Sequence, residues 1–442
     1  MLADSDTRWK WGALTARRIA PDGVHSHLDG FLLRGRATPT PRQLAEVGVQ
    51  ADSLREVTAA AFLHDMGERA QPGGTGGEPY DVVLLSLVGG GVQAMLHGLA
   101  HTWRGRAKRP AVVTGYVGVV YEKLADGLLL RHGADVVLAN SRHDAERFRE
   151  VYAGVGADAG SVVECALPFL GGAPYIPAAL DERPFTVVFA VQPSVPDNRA
   201  DRAYLLRRAV EHARLHPDRE VLVKLRSKPG EHTTHIEELP YQKLAGRQPG
   251  GLPANCRLVQ GNMGEVLDRT DLLVTVSSTA ALEALHRRIP TAVLTDLGIR
   301  EALGNHHFLG SGCLASWDEL DAGRMPLADP EWCARQGVAA DGAYETAFDA
   351  VRERVAALTA APALPPISPY YTPLTAPGYQ PGVLARHGLD TGGAPLPGAD
   401  TGHREDGVLR RAAREFAREA ARTAYRQGVQ RVAPVIRRWG HL

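Results

Sequence analysis

Short apolar, β-branched runs recur along the chain with helix-length stretches between them, the alternation expected of βαβ units around a parallel sheet. In the first half the strand-like runs are 81–86, 111–114 and 134–139, with a weaker one at 57–63. Helices are predicted over 92–103 and 142–152. The first residues, Met1-Leu-Ala3, read as the end of a strand that runs directly into polar Asp4-Ser-Asp6, so translation is expected to start further upstream. Glycines and prolines at 171–177 break both periodicities and polar 181–184 follows, which marks a linker. A second series then begins, with strands at 185–190, 220–225, 271–276 and 291–295 and helices over 202–215 and from about 279.

This pattern predicts an α/β protein of two tandem Rossmann-like domains, 1–177 and 184–360, with ligands at the carboxyl ends of the strands in a cleft between the halves. A length of 442 residues agrees with two domains. Beyond about 360 the chain turns to proline, glycine and alanine, at 362–369 and again at 392–402, and is expected to lack regular structure. The segment 401–442 carries ten arginines against four acidic residues, with Leu409, Ala413, Phe416, Ala420 and Ala424 at helical spacing. It reads as a basic amphipathic helix, kinked or ended near Pro434, that either packs back onto the protein or contacts an anionic membrane surface or a partner.

Charge and cysteine usage narrow the classes. Fifty basic residues balance fifty acidic ones, so nothing global points to a nucleic-acid partner. Cys165, Cys256, Cys313 and Cys333 are widely spaced and form no Cys-x-x-Cys pair, which argues against a disulfide scaffold and a structural zinc site. No apolar run reaches the roughly 18 residues a membrane span needs, and the start lacks the order of a signal peptide. A cytoplasmic protein is expected, with the basic tail as its one means of reaching the inner membrane face.

The most informative stretch runs from Thr270 to Leu294, where an apolar strand ends in Ser277-Ser278-Thr279 at the start of a helix. Unpaired backbone N–H groups and small hydroxyls converge there, which suits a phosphate and equally suits an ordinary helix cap. A second group is Lys224-Leu-Arg226-Ser-Lys228, in which alternate residues of a strand point the same way and aim three cations at one spot. Such cations stabilise a departing phosphate; a solvated basic strand edge is the plainer reading. His232 and His235 follow in the same loop, and an imidazolium near a leaving group can act as a general acid. Two histidines without further ligands do not make a metal site, and none is predicted.

In the first half, Asp4, Asp6 and Asp29 are the carboxylates near strand ends, and Asp6 is the preferred general base unless it or Asp4 caps the next helix. Trp9 and Trp11 beside it are aromatic faces on which a sugar could stack. Gly89-Gly90-Gly91 after one strand, and Tyr116 with Tyr121 and Glu122 after the next, are candidates for an acceptor pocket.

The strand, the Ser277-Ser278-Thr279 turn, Glu283-Ala284 and Ile289-Pro290 together resemble the donor-binding unit of GT-B glycosyltransferases, most closely the Ser-Ser motif of bacterial sialyltransferases and polysialyltransferases. The chain also resembles glycosyltransferase families of high-GC actinobacteria. The likeness covers about 184–297 best. It implies a nucleotide-sugar donor, with a cytidine monophosphate leaving group on Ser277 and Ser278 and ribose hydroxyls on Glu283, a glycan acceptor, and no cofactor beyond the donor. Two departures stand out: Arg288 occupies a place where glycine is usual, and no His-Pro pair stands where those families carry one. The resemblance thus implies an inverting, metal-independent transferase, with a CMP-linked sialic-acid-like sugar as one donor. A sugar-nucleotide 2-epimerase, a polyol-phosphate transferase and a non-catalytic two-domain binding protein are the rivals.

Overall fold

A computed structural model describes residues 1–400 apart from 21–25, 36, 71–76, 107, 120–123, 178–182, 227–238 and 339–342. The described residues form two parallel sheets flanked by helices, in two compact units, which is the tandem Rossmann-like architecture of a GT-B fold. The basic 401–442 segment lies outside the described residues.

The first unit contains strands β1 (Leu2–Ala3), β2 (Asp29–Leu33), β3 (Ser53–Val57), β4 (Val82–Ser86), β5 (Ala111–Gly115), β6 (Val136–Ala139) and β7 (Val162–Glu164) in the order β3-β2-β1-β4-β5-β6-β7. Between them run helices α1 (Asp6–Arg18), α2 (Pro41–Val47), α3 (Ala59–Arg69), α4 (Gly89–Thr102), α5 (Leu124–Leu129) and α6 (Arg142–Gly154). Although β1 is two residues long it is central, with Leu2 paired to Phe31 on one side and Leu85 on the other. Its buried neighbours Leu2, Phe31, Val83 and Leu85 belong to one apolar core with Phe62, Met95 and Phe148.

Two expectations change here. The strand expected at 57–63 is instead the end of β3 followed by α3, because Thr58 caps that helix by accepting the Ala61 N–H at 3.1 Å and Ala59-Ala-Ala61 favours helix. β2 escaped the pattern because Gly30 interrupts its apolar run. A Cβ on Gly30 would lie 2.6 Å from the Trp9 ring, so the gap in the sequence pattern is a packing requirement.

The second unit contains β8 (Phe185–Ala190), β9 (Arg219–Lys224), β10 (Cys256–Val259), β11 (Leu272–Thr275), β12 (Thr291–Leu294) and β13 (Leu314–Ala315), ordered β10-β9-β8-β11-β12-β13. Its helices are α7 (Arg199–Leu215), α8 (Tyr241–Ala245), α9 (Met263–Leu267), α10 (Ala280–His286), α11 (Trp317–Asp321) and α12 (Pro330–Arg335). Both orders reverse direction at one place, between β1 and β4 in the first unit and between β8 and β11 in the second, which is where such sheets take ligands.

The domain boundary differs from the expected one. The second unit's main body is Leu170–Ala334, while Arg335–Gly337 and the described part of Asp341–Glu405 belong to the first. Helix α13 (Asp349–Ala360) packs on β5, β6 and β7, and Arg352 donates to the Arg18 carbonyl at 3.0 Å. The proline-rich stretch after 360 has little regular structure beyond α14 (Gln380–Ala385), yet Ile367, Val383, Leu384 and Leu389 enter the first unit's core. Composition marks the absence of helix and strand correctly and says nothing about burial. No helix among the described residues is long and apolar enough to cross a membrane.

Each sheet is pinned at its amino edge by a buried aspartate. Asp135 accepts the Val112 N–H at 2.7 Å and a two-pronged contact from Arg109 at 2.7 and 2.9 Å. Asp271 accepts the Thr186 N–H at 2.8 Å, Arg183 at 2.9 Å and the Tyr175 hydroxyl at 3.2 Å.

Candidate functional site

At the carboxyl edge of the second sheet, the apolar β11 gives way to the three hydroxyl residues singled out above. Thr275 donates its hydroxyl to the Ala190 carbonyl at 2.9 Å and receives the Ser278 N–H at 3.1 Å, which ties β11 to β8 and bends the chain. Ser277 is 2% exposed and already engaged: its N–H goes to the Gln192 side-chain oxygen at 3.0 Å and its hydroxyl to the Leu303 carbonyl at 2.6 Å. It therefore shapes the turn and, in this conformation, does not present itself to a nucleotide as the resemblance implied. Ser278 and Thr279 are half-buried, and Thr279, at the start of α10, makes no side-chain capping bond. Glu283 is buried one turn into the helix.

α10 ends in a Schellman motif: the Arg288 N–H donates to the Leu285 carbonyl at 2.9 Å and the Ile289 N–H to the Ala284 carbonyl at 3.0 Å. Arg288 has φ +62°, a left-handed conformation, and is the one non-glycine residue with positive φ among those described. The glycine expected at this place is thus a conformational requirement that arginine meets at a cost.

Lys224 closes β9 in register with Ala190, which in turn pairs with Thr275. It is buried, and its ammonium donates to the Leu225 carbonyl at 2.8 Å. Arg226, half-buried, stands two residues further on. β9 and β11 flank β8, so these cations and the hydroxyl turn lie two strand spacings apart, about 10 Å. Lys228, His232 and His235 lie outside the described residues.

In the first unit, Asp4 follows β1 and accepts Arg8 at 2.9 Å with one oxygen and the Val88 N–H at 3.0 Å with the other, which ties the start of α1 to the start of α4. Asp6, the preferred base, is buried in the first turn of α1 and accepts its neighbour's Thr7 N–H at 2.7 Å. The cap of α1 is Ser5. Trp9 and Trp11 correct the stacking expectation: both are fully buried, their indole N–H groups donating to the Val49 carbonyl at 3.2 Å and the Asn140 side chain at 3.5 Å, and neither offers a ring face to a sugar. Asp29 stands at the amino end of β2, on the opposite edge from Asp4 and Asp6. Burial pushes its pKa up, but hydrogen bonds from Ser53, Tyr80 and His27 outweigh that and hold it at about 2, too acidic for a good base.

Gly90 is half-buried in the first turn of α4, and Tyr116, beyond β5, is held between the Arg131 guanidinium at 3.8 Å and the Phe148 ring at 5.4 Å. Its hydroxyl is buried with no hydrogen-bond partner, and burial raises its pKa. Tyr121 and Glu122 lie outside the described residues. The sequence reading missed Gln192, which anchors Ser277, and Asp144, in the first turn of α6, where burial lifts the carboxyl to about 6 and leaves one oxygen unpartnered. A lone amide directly after the apolar β8 run was the available signal for the first; the second has the form of an ordinary helix-start aspartate.

Among the described residues His212, His216 and Asp321 place one ligand atom each within 4.8 Å of one another. His212 donates through Nδ1 to Asp321 at 2.6 Å, and its Nε2 accepts from Arg219 at 3.4 Å, while Arg208 also pairs with Asp321 at 2.8 Å. Two guanidinium groups beside the cluster make it a charge network joining α7 to α11, at the amino edge of the sheet and away from Ser278.

No curated protein matches the chain by sequence. Among solved structures it is similar to the S. aureus MnaA–UDP co-structure, with 11% identity over 80% of this chain and 94% of that one and a TM-score of 0.48. It is also similar to a UDP-GlcNAc 2-epimerase from Neisseria meningitidis bound to UDP-GlcNAc, with 11% identity over 80% and 98% and a TM-score of 0.49. The family described as "Putative glycosyltransferase (DUF6716)" matches residues 1–358, and with more than three quarters of its length inside that match, this chain belongs to the family.

Proposed function

We propose that this chain transfers a sugar from a nucleotide donor to a cell-surface glycan or its precursor, with inversion and without a metal, a CMP-linked sialic-acid-like donor being the first to test. One observation carries the reading: the half-buried Ser278-Thr279 turn opens α10 at the switch point of the second sheet, with Lys224 and Arg226 two strands away. A nucleoside phosphate spans that distance, and its phosphoryl oxygens would meet the Ser278 and Thr279 hydroxyls and the positive end of α10 while the cations share its charge. Ser277, Gln192 and Thr275 keep the turn in shape, Glu283 is the candidate for the ribose, and Asp6 and His232 are the candidates for base and acid.

Binding of CMP-, UDP-, GDP- and dTDP-sugars to the full chain tests this directly. Retention of one class with turnover only when a glycan acceptor is present supports transfer. Turnover without acceptor would instead indicate an epimerase, movement of a phosphorylated group a polyol-phosphate transferase, and binding without turnover a non-catalytic role. Binding of none of the four removes the proposal.

A further inference from the structure

The two halves of the candidate donor site stand on β9 and β11, on either side of β8, and the chain leaving β8 joins them. The Val191 N–H donates to the Lys224 carbonyl at 3.2 Å. The next side chain, Gln192, accepts the Ser277 N–H at 3.0 Å and donates to the Ser277 hydroxyl at 3.2 Å. The placing of the hydroxyl turn against the cations therefore depends on the path of the chain through 191–196.

That path is held by a cation from the next helix. Arg202, near the start of α7, is 1% exposed, and its Nη1 lies 3.0 Å from the Gln192 carbonyl, 3.0 Å from the Pro193 carbonyl and 3.2 Å from the Pro196 carbonyl. Pro193 and Pro196 carry no N–H, which leaves carbonyls as the main anchors of the segment. Carbonyl oxygens that converge on one point repel one another, so a turn that gathers three of them needs a positive donor at its centre. The guanidinium also lies over the ring of fully buried Tyr241 in α8, 4.3 Å from its centroid, which fixes its place from the other side.

We infer that Arg202 is a positioning residue for the candidate donor turn: a buried cation that sets the 191–196 segment and, through Gln192, the shape of the Ser277 turn. Calling the turn a donor site rests on the transferase reading; the hold of Arg202 on its shape does not. At 1% exposure the guanidinium acts through Gln192 and Ser277 and has no direct contact to offer a nucleotide.

The test is hydrogen exchange over residues 272–280 of the full chain, read beside calorimetric titration with CMP and UDP. Arg202→Met keeps the volume and removes the charge; it is expected to speed exchange at 272–280 at least ~10-fold and to weaken nucleotide binding at least ~10-fold. Arg202→Lys, which keeps the charge on a shorter arm, is expected to recover part of each loss. Val210→Ala, a cavity in the same helix away from the loop, should lower the melting temperature and leave both readouts unchanged. Exchange or nucleotide affinity unaltered in a folded Arg202→Met, no recovery in Arg202→Lys, or equal losses in Val210→Ala overturns the inference. Should Arg202→Met not fold, Arg202→Lys decides alone: faster exchange at 272–280 supports the role and unchanged exchange overturns it. Should the unsubstituted chain bind neither CMP nor UDP, exchange at 272–280 still decides whether Arg202 sets the turn, so failure of the donor reading and failure of the positioning role give different results.

Discussion

The two switch points reach a similar geometry by opposite means. After β11 the turn is built from side chains: Gln192 holds Ser277, Ser277 holds the Leu303 carbonyl, and Thr275 holds Ser278. After β4 it is built from bare backbone, with three glycines, one clamp from Asp4 to the Val88 N–H, and Gln93 left without partners. The first arrangement fixes the shape of a helix start through satisfied side-chain bonds, while the second leaves a buried amide without a partner. Satisfied polar groups confer rigidity, and a buried unsatisfied one costs stability.

The comparison can be pressed hardest through the paired aspartates at the amino edges. Asp135→Asn is expected to destabilise the first unit by about 3–5 kcal/mol, because Arg109, with 3% of its side chain exposed, loses its counter-charge inside the protein. Asp271→Asn should cost less, about 2 kcal/mol, since Arg183 is 29% exposed and water can solvate it. Urea unfolding of each variant measures both, and a larger loss at Asp271 would break the contrast.

The next effect is on pH. Asp144 has a folded-state pKa of about 6, raised by burial above an ordinary carboxyl near 4. The folded state therefore binds the proton more tightly than the unfolded chain, so this group's contribution is fully present below about pH 4 and is lost as pH rises through 6. Lowering the pH from 7.5 to 4.5 is expected to recover roughly 2 kcal/mol from this residue, and Asp144→Asn should flatten that part of the stability profile. A profile unchanged by the substitution would show that the carboxyl finds a partner in solution.

Gln192→Leu sharpens the comparison at the candidate donor turn, since it leaves the Ser277 N–H orphaned. If nucleotide binding depends on a preset turn, affinity should fall about 10-fold; affinity within twofold of the unsubstituted chain would mean the turn keeps its shape without the amide. The smallest expected effect is a gain. Arg288→Gly should stabilise the second unit by about 1 kcal/mol, because glycine adopts the left-handed C-cap without strain. A loss, read by the same urea titration, would show that the Arg288 side chain contributes more than its backbone costs.

What the sequence by itself determined is the repeated strand-and-helix series of both units and the placing of Ser277-Ser278-Thr279 at a strand-to-helix turn, since apolar runs and helix-start hydroxyls are local signals. Arg288 was legible in the same way, as a residue in a glycine's place. Only the tertiary structure decided which of the hydroxyl residues is used up inside the turn, that Trp9 and Trp11 are core, that Asp29 lies on the wrong edge, and that the described residues after 342 join the first unit. Each depends on partners far along the chain: Gln192 and Leu303 for Ser277, Val49 and Gly30 for Trp9, Ser53 and Tyr80 for Asp29. Burial and hydrogen-bond satisfaction are properties of those distant encounters, and a periodicity read over a dozen residues does not contain them.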